Sequence, residues 1–230
     1  MNTAKIIAIT KPLITKNNST FVQYEPEEPL EADEFIAYCA RVSNPSNQMN
    51  TETAPKLLKY LIKNKHWSPF ELVSIVMDIT TTRDIGRQIL RHRSFSFQEF
   101  SQRYANPTED LGFTFREARL QDSKNRQNST ETDDQSLKEQ WKQKQDHAIW
   151  YAKSCYDWAI ENGIAKEQAR TVLPEGLTVS RMYMAGSLRS WIHYCNLRMS
   201  HGTQKEHSEV ATNCWNEILE YFPSLKGCLE

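Results

Sequence analysis

The chain has 230 residues, a quarter of them charged, and a formal net charge of −1. That length can bury roughly 70% of the extended chain's surface without covalent staples, and the near-neutral balance excludes binding to nucleic acid through overall charge. Five scattered cysteines, with no CxxC pair among them, argue against a disulfide framework or a zinc knuckle and for a reducing compartment. The amino-terminal stretch MNTAKIIAITKPLI has no signal-peptide apolar core, and no window approaches the ~18 apolar residues of a membrane span. A soluble, cytoplasmic protein with no membrane partner is expected.

In chain order, KIIAIT (5–10) reads as a strand and EADEFIAYCARVS (31–43) as a helix, with Phe35, Ile36, Cys39 and Val42 at helical spacing. TAPKLLKYLIKN (53–64) repeats that period. Ser68-Pro-Phe-Glu71 has the form of a capping box that opens a short turn, and LVSIVMDIT (72–80) is a β-branched strand. TRDIGRQILRHR (82–93) returns to helix, and Ser94 to Tyr104 reads as a loop. The polar stretch 105–135, with Asn106-Pro107, reads as a long loop or insertion. Residues 136–163 form a long helix stopped by Gly163, on which Trp150, Tyr151, Cys155, Trp158 and Ala159 make one apolar stripe expected to pack in the core. A short helix (165–174), a strand (177–185) and two helices (187–199 and 205–222) complete the chain. Helices outnumber strands and do not alternate with them, so an α+β fold is expected: one domain over 1–230, helices around a small, mostly antiparallel sheet.

The densest chemistry lies in RHRSFSFQEFSQRY, residues 91–104. From Arg83 to Arg103 five arginines face only Asp84 and Glu99, and Arg83, Arg87 and Arg91 share a helix face, where like charges repel. Arginine's planar fork matches phosphate oxygens and stacks on flat rings. Serines, the Gln98 amide and the Glu99 carboxylate follow. A carboxylate repels phosphate but accepts from a sugar hydroxyl or a base N–H. Phosphate, sugar and ring together make a nucleotide. Phe95, Phe97 and Phe100 either stack on rings or bury in the core. Arginines interleaved with aromatics also suit single-stranded nucleic acid, but the chain is net acidic and the cluster is confined to one segment. The histidines lack HExxH spacing, so no metal site is expected.

RHRSFSFQEFSQRY resembles the signature of flavin-dependent thymidylate synthases. It matches at Arg91, His92, Arg93, Ser96, Glu99, Ser101, Arg103 and Tyr104, and has Gln98 where that family has asparagine. HWSPFE (66–71) is similar to the family's H-x-S/T-P-F-E, with Leu72 in place of a following histidine. ARTVLP (169–174) resembles A-R-x-x-L-P, and SLRSWIHYCNLRMSHGTQKEHSEV resembles its closing helix pair. Together these span about residues 30–220.

The resemblance implies methylation of dUMP to dTMP, with 5,10-methylenetetrahydrofolate as carbon donor and NADPH as reductant through bound FAD. It also implies a homotetramer with active sites at subunit interfaces. Carried over residue by residue, Ser68, Arg91, His92, Arg93, Glu99, Ser187, Arg189 and His193 would line the flavin. Gln88, Arg91, Glu99, Phe100, Ser101, Gln102, Arg103, Arg170 and Arg198 would hold dUMP, with Arg198 the catalytic residue that favours the ionised uracil imide. Cys195 has no activating histidine at a defined spacing and is expected to be a small core residue, not a nucleophile. The alternative is a non-catalytic nucleotide or single-stranded nucleic-acid binder.

Overall fold

The computed structural model describes residues 2–16 and 28–229. Strand β1 (Thr3–Ile9) is followed by helices α1 (Ala32–Ala40) and α2 (Ala54–Lys63), then a 3-10 turn over Ser68–Leu72 and strand β2 (Ser74–Thr82). Helix α3 (Arg83–Ile89) leads into strand β3 (Ser96–Glu99). The polar stretch 105–135 carries a one-turn helix α4 (Pro107–Asp110) and a hairpin of β4 (Arg119–Gln121) with β5 (Ser129–Glu131). The long helix α5 (Gln135–Glu161) follows. Next come the single turn α6 (Lys166–Ala169), strand β6 (Val179–Ser187), and helices α7 (Leu188–Met199) and α8 (Lys205–Tyr221). None of the helices is long and apolar enough to cross a membrane among the described residues.

The main sheet is antiparallel throughout, in the order β1-β2-β6-β3. Alternation along β2 puts Ile75, Met77 and Ile79 on one face, with Met182 and Met184 of β6 and Ile6 of β1 beside them, all buried. Trp191 and Cys195 of α7 and Val210, Cys214 and Ile218 of α8 belong to the same core, with Ile36 and Leu58 from α1 and α2. The indole N–H of Trp191 donates to the Ile75 carbonyl at 3.3 Å, which satisfies a donor that burial would otherwise strand. On the opposite face Arg181 forks onto Asp78 at 2.9 and 2.6 Å. One dry face and one wet face is the pattern an antiparallel sheet permits.

Three expectations need correction. Helix α3 stops at Ile89, so Arg91, His92 and Arg93 lie beyond its last turn: the chain must turn there to reach the sheet. Part of the loop expected at 94–104 is β3, which pairs with β6 from Ser96↔Ala185 to Glu99↔Met182. The aromatic residues of the α5 stripe are not core, although its Ala159 is. Trp150 is 71% exposed, Tyr151 67% and Trp158 59%, while Ala152, Tyr156 and Ala159 face inward. Periodicity identifies an apolar face but not what covers it, and Tyr156 with Ala159, Ala169 and Leu173 already fills the small core beneath that helix.

Candidate functional site

Two successive turns follow α3. The His92 N–H donates to the Ile89 carbonyl at 3.0 Å and the Phe95 N–H to the His92 carbonyl at 3.3 Å, which presents Arg91, His92 and Arg93 in series. Phe95 anchors this turn, its ring edge-on to Trp191 with centroids 4.8 Å apart. That ring presses on Gly186, where an added Cβ would lie 2.5 Å from it. Gly186→Ala is therefore expected to destabilise by about 1–3 kcal/mol, lowering the melting temperature by roughly 3–10 °C. An unchanged melt would mean that the ring moves aside freely and does not fix the turn.

His92 meets Arg198 from the end of α7: the Arg198 Nε–H donates to His92 Nε2 at 2.9 Å. Burial, then the guanidinium groups of Arg198 and Arg91, push the His92 pKa down to about 4. The ring is thus neutral at pH 7, with Nε2 as acceptor and the proton on Nδ1. Arg91 and Arg93 are exposed and form no salt bridge among the described residues.

A second group surrounds a cavity of about 200 Å³ lined by Arg83, Arg87, Gln102, Arg170 and Glu175. Glu175 accepts from Arg87 at 2.9 Å and lies 3.9 Å from Arg83 Nε. Glu99, at the end of β3, accepts from the Ser180 hydroxyl at 3.0 Å and stands 3.8 Å from Arg83. Gln102 is 3% exposed, and its amide nitrogen has no hydrogen-bond partner. A buried N–H donor without an acceptor costs about 1–3 kcal/mol, and Gln102 stands in the wall of this cavity. Arg103 is exposed, 3.5 Å from Glu167. Phe100 is held by its N–H on the Arg181 carbonyl at 2.8 Å, and the Arg103 N–H donates to the Ser101 hydroxyl at 3.4 Å.

The third group is built on Glu71, whose carboxylate accepts from the Ser187 hydroxyl at 2.6 Å and from Arg189. The Ser187 hydroxyl and Arg189 hold the Glu71 carboxyl below the usual carboxylate range. His193 packs edge-on to Trp67 at 4.6 Å, and burial followed by Arg189 lowers its pKa. Ser68 is exposed at the start of the 3-10 turn. The expected capping box is absent: neither Ser68 nor Glu71 caps the turn, because Glu71 is committed to α7.

Of the residues expected at a flavin, Ser187 and Arg189 bind Glu71, with Ser68 in the same turn and His193 on the same helix; Arg91, His92 and Arg93 follow α3; and Glu99 lies at the end of β3 beside Arg83 and Ser180. Of the residues expected at a nucleotide, Gln102 and Arg170 share the arginine-lined cavity, while Gln88 and Arg198 approach a buried polar cluster with Tyr194 and His207. Sequence reasoning left out Glu71, Glu175, Tyr194 and His207. Glu71 stands inside the quoted SPFE and could have been found there, whereas the others announce themselves only through contacts between distant segments. Cys195 is fully buried and burial pushes its thiol far up, so it holds no thiolate near neutral pH.

Residues 23–224 match the sequence model of the family described as "Thymidylate synthase complementing protein". The chain is 47% identical over 227 residues to a flavin-dependent thymidylate synthase of Synechocystis, covering 98% of each chain. It is 45% identical over 227 residues to a probable flavin-dependent thymidylate synthase of Paramecium bursaria Chlorella virus 1, covering 99% of this chain and 98% of the viral one. Its fold is shared with the UMP/dUMP methylase PolB of Streptomyces cacaoi, solved with 5-Br dUMP, at a TM-score of 0.78 and 23% identity over 99% of this chain and 94% of that one. On these matches, nearly end to end, the chain belongs to the flavin-dependent thymidylate synthase family.

Proposed function

We propose that this flavin-dependent thymidylate synthase methylates dUMP to dTMP, with its flavin as FAD, methylenetetrahydrofolate as carbon donor and NADPH as reductant. The observation that carries the nucleotide reading is the arginine-lined cavity with the unpartnered Gln102 amide. Phosphate oxygens supply acceptors for Gln102 and Arg170, in Arg170's case as charge-assisted hydrogen bonds, with the exposed Arg103 available from the loop. Glu99, a carboxylate that accepts from the Ser180 hydroxyl and has Arg83 beside it at 3.8 Å, repels phosphate and is suited to accept from the sugar or base.

The donor set also fits a flavin dinucleotide. Arg91 and Arg93, with no salt bridge among the described residues, offer cations for a pyrophosphate, and Ser68, Ser187, Arg189 and His193 offer hydroxyls, a guanidinium and a neutral ring. When bound, the flavin supplies the hydride chemistry. The chain's own part is electrostatic. Arg198, fixed on His92, lays a permanent positive charge beside the pyrimidine, lowers the pKa of its imide and so raises the nucleophilicity of the ring. No cysteine takes part.

The uncovered aromatics of α5 supply an apolar face for assembly into a homotetramer. An absorbance spectrum of the purified protein, repeated with dUMP, tests the reading. Flavin bands near about 450 nm that shift when dUMP is added are expected. A colourless protein that also refuses added FAD would overturn it.

A further inference from the structure

A run of hydrogen bonds crosses the interior between α3, α7 and α8. Tyr194 Oη and His207 Nε2 are 3.1 Å apart, and His207 Nδ1 is 3.2 Å from Gln88 Oε1. The Gln88 amide nitrogen donates to Gln204 Oε1 at 2.8 Å, and the Gln204 amide nitrogen to Glu206 Oε2 at 3.0 Å. Glu206 is held in turn by Arg116, 3.2 Å away, and by Arg119.

Chemistry forces the direction of every link. A carboxylate only accepts, so Gln204 must turn its NH₂ to Glu206 and its oxygen to Gln88. Gln88 must then give an N–H to Gln204 and keep its oxygen toward His207. That oxygen only accepts, so His207 carries its proton on Nδ1. Burial, then Arg198, lower the His207 pKa to about 3, so the ring is neutral and Nε2 accepts. Burial raises the Tyr194 pKa well above 10, so its O–H is there to donate. Reversing the Gln88 amide would set N–H against N–H at one end and oxygen against oxygen at the other.

His207 is wholly buried, whereas Gln88 is only partly so. Gln88 therefore has one amide N–H bound to Gln204 and one left over. We propose that His207 is a positioning residue for nucleotide recognition: its Nδ1–H holds the Gln88 oxygen while Gln204 holds one N–H, and the two together fix the amide so that the remaining N–H is held ready for an acceptor oxygen of the pyrimidine nucleotide. This rests on the reading of Gln88 as a dUMP-binding residue. His207 does not touch the ligand; it acts through Gln88.

Asparagine places its amide nitrogen where Nδ1 sits, whereas glutamine reaches toward Nε2. In the holoenzyme, His207→Asn should keep the KM for dUMP within about threefold of wild type, while His207→Gln and His207→Phe raise it about tenfold, the effect of one hydrogen bond. Flavin content and kcat should change by less than about twofold in all three, since only ground-state binding is altered. A purely structural role would lower flavin content and kcat instead. Gln88→Ala should raise KM by a similar factor, and adding His207→Phe to it should change nothing further. Additive effects, or equal behaviour of the Asn and Gln variants, would overturn the proposal. If His207→Phe does not fold, the Asn and Gln pair decides alone. Should Gln88→Ala leave KM untouched, the nucleotide role of Gln88 is what fails, and the proposal falls with it.

Discussion

Arg198→Ala is expected to lower kcat by roughly 10²–10³-fold while the purified protein stays yellow, as when one preorganised donor to developing charge is removed. Arg198 contributes a fixed cation, and it is the partner of His92 Nε2 rather than of any carboxylate among the described residues. Among the described residues no anion pairs with it, which leaves its charge for the pyrimidine. In the variant His92 loses one of the two cations that depress its pKa, while burial, the larger cause, remains. Its pKa should therefore rise from about 4 yet stay below 6.5, which titration of the ring by NMR would read. Arg198→Lys restores charge without the fork. Partial recovery of kcat by lysine would show that charge matters more than geometry, and full activity in Arg198→Ala would remove Arg198 from catalysis.

The second large effect is expected from Trp150→Glu combined with Trp158→Glu. Both side chains lie on the outer face of α5, with Tyr151 beside them and the apolar Ile164 and Val172 also exposed. A pair of carboxylates should leave the folded chain intact, since neither indole is in its core, but should oppose association. Burying one uncompensated charge costs about 3–5 kcal/mol, so two per chain should weaken assembly by about a thousandfold or more. Sedimentation is expected to give a species several times 26.8 kDa for the wild type and one close to 26.8 kDa for the variant, with flavin lost in parallel. A variant that keeps both its size and its colour would exclude this face from the assembly.

Local signals carried much of the architecture. The helical spacing of Leu57, Leu58, Leu61 and Ile62 was enough to place α2, and β-branched alternation was enough for β2. The alternation of Phe95 and Phe97 was visible too, but four residues on an edge strand are a weak pattern, and the partner that makes them a strand, β6, lies more than 80 residues away. The site was legible where one segment carried it whole, as in RHRSFSFQEFSQRY. Pairings such as Glu71 with Arg189 and Gln88 with His207 bridge 118 and 119 residues, so no window of sequence contains both partners. The failure on α5 has a different cause. Its stripe was read correctly as apolar, but whether such a face meets its own chain or another is not written in its period.

The β4–β5 hairpin has a consequence for how this chain can change length. Its base is bolted to the start of α8, with Lys205 on Glu117 at 2.8 Å and on Glu131 at 3.0 Å, and Arg119 on Glu206. Its tip, residues 122–128, is fastened mainly to itself, through Asp122 to Lys124, Asn125 and Asn128. A graft, a label or an evolutionary insertion is tolerable at the tip, where backbone is exposed and few bonds cross to the rest of the fold. Shortening the segment past Arg119 would instead leave the Glu206 carboxylate at the head of α8 with Arg116 alone of its two guanidinium partners. Descendants of this sequence are free to grow there and are not free to shrink.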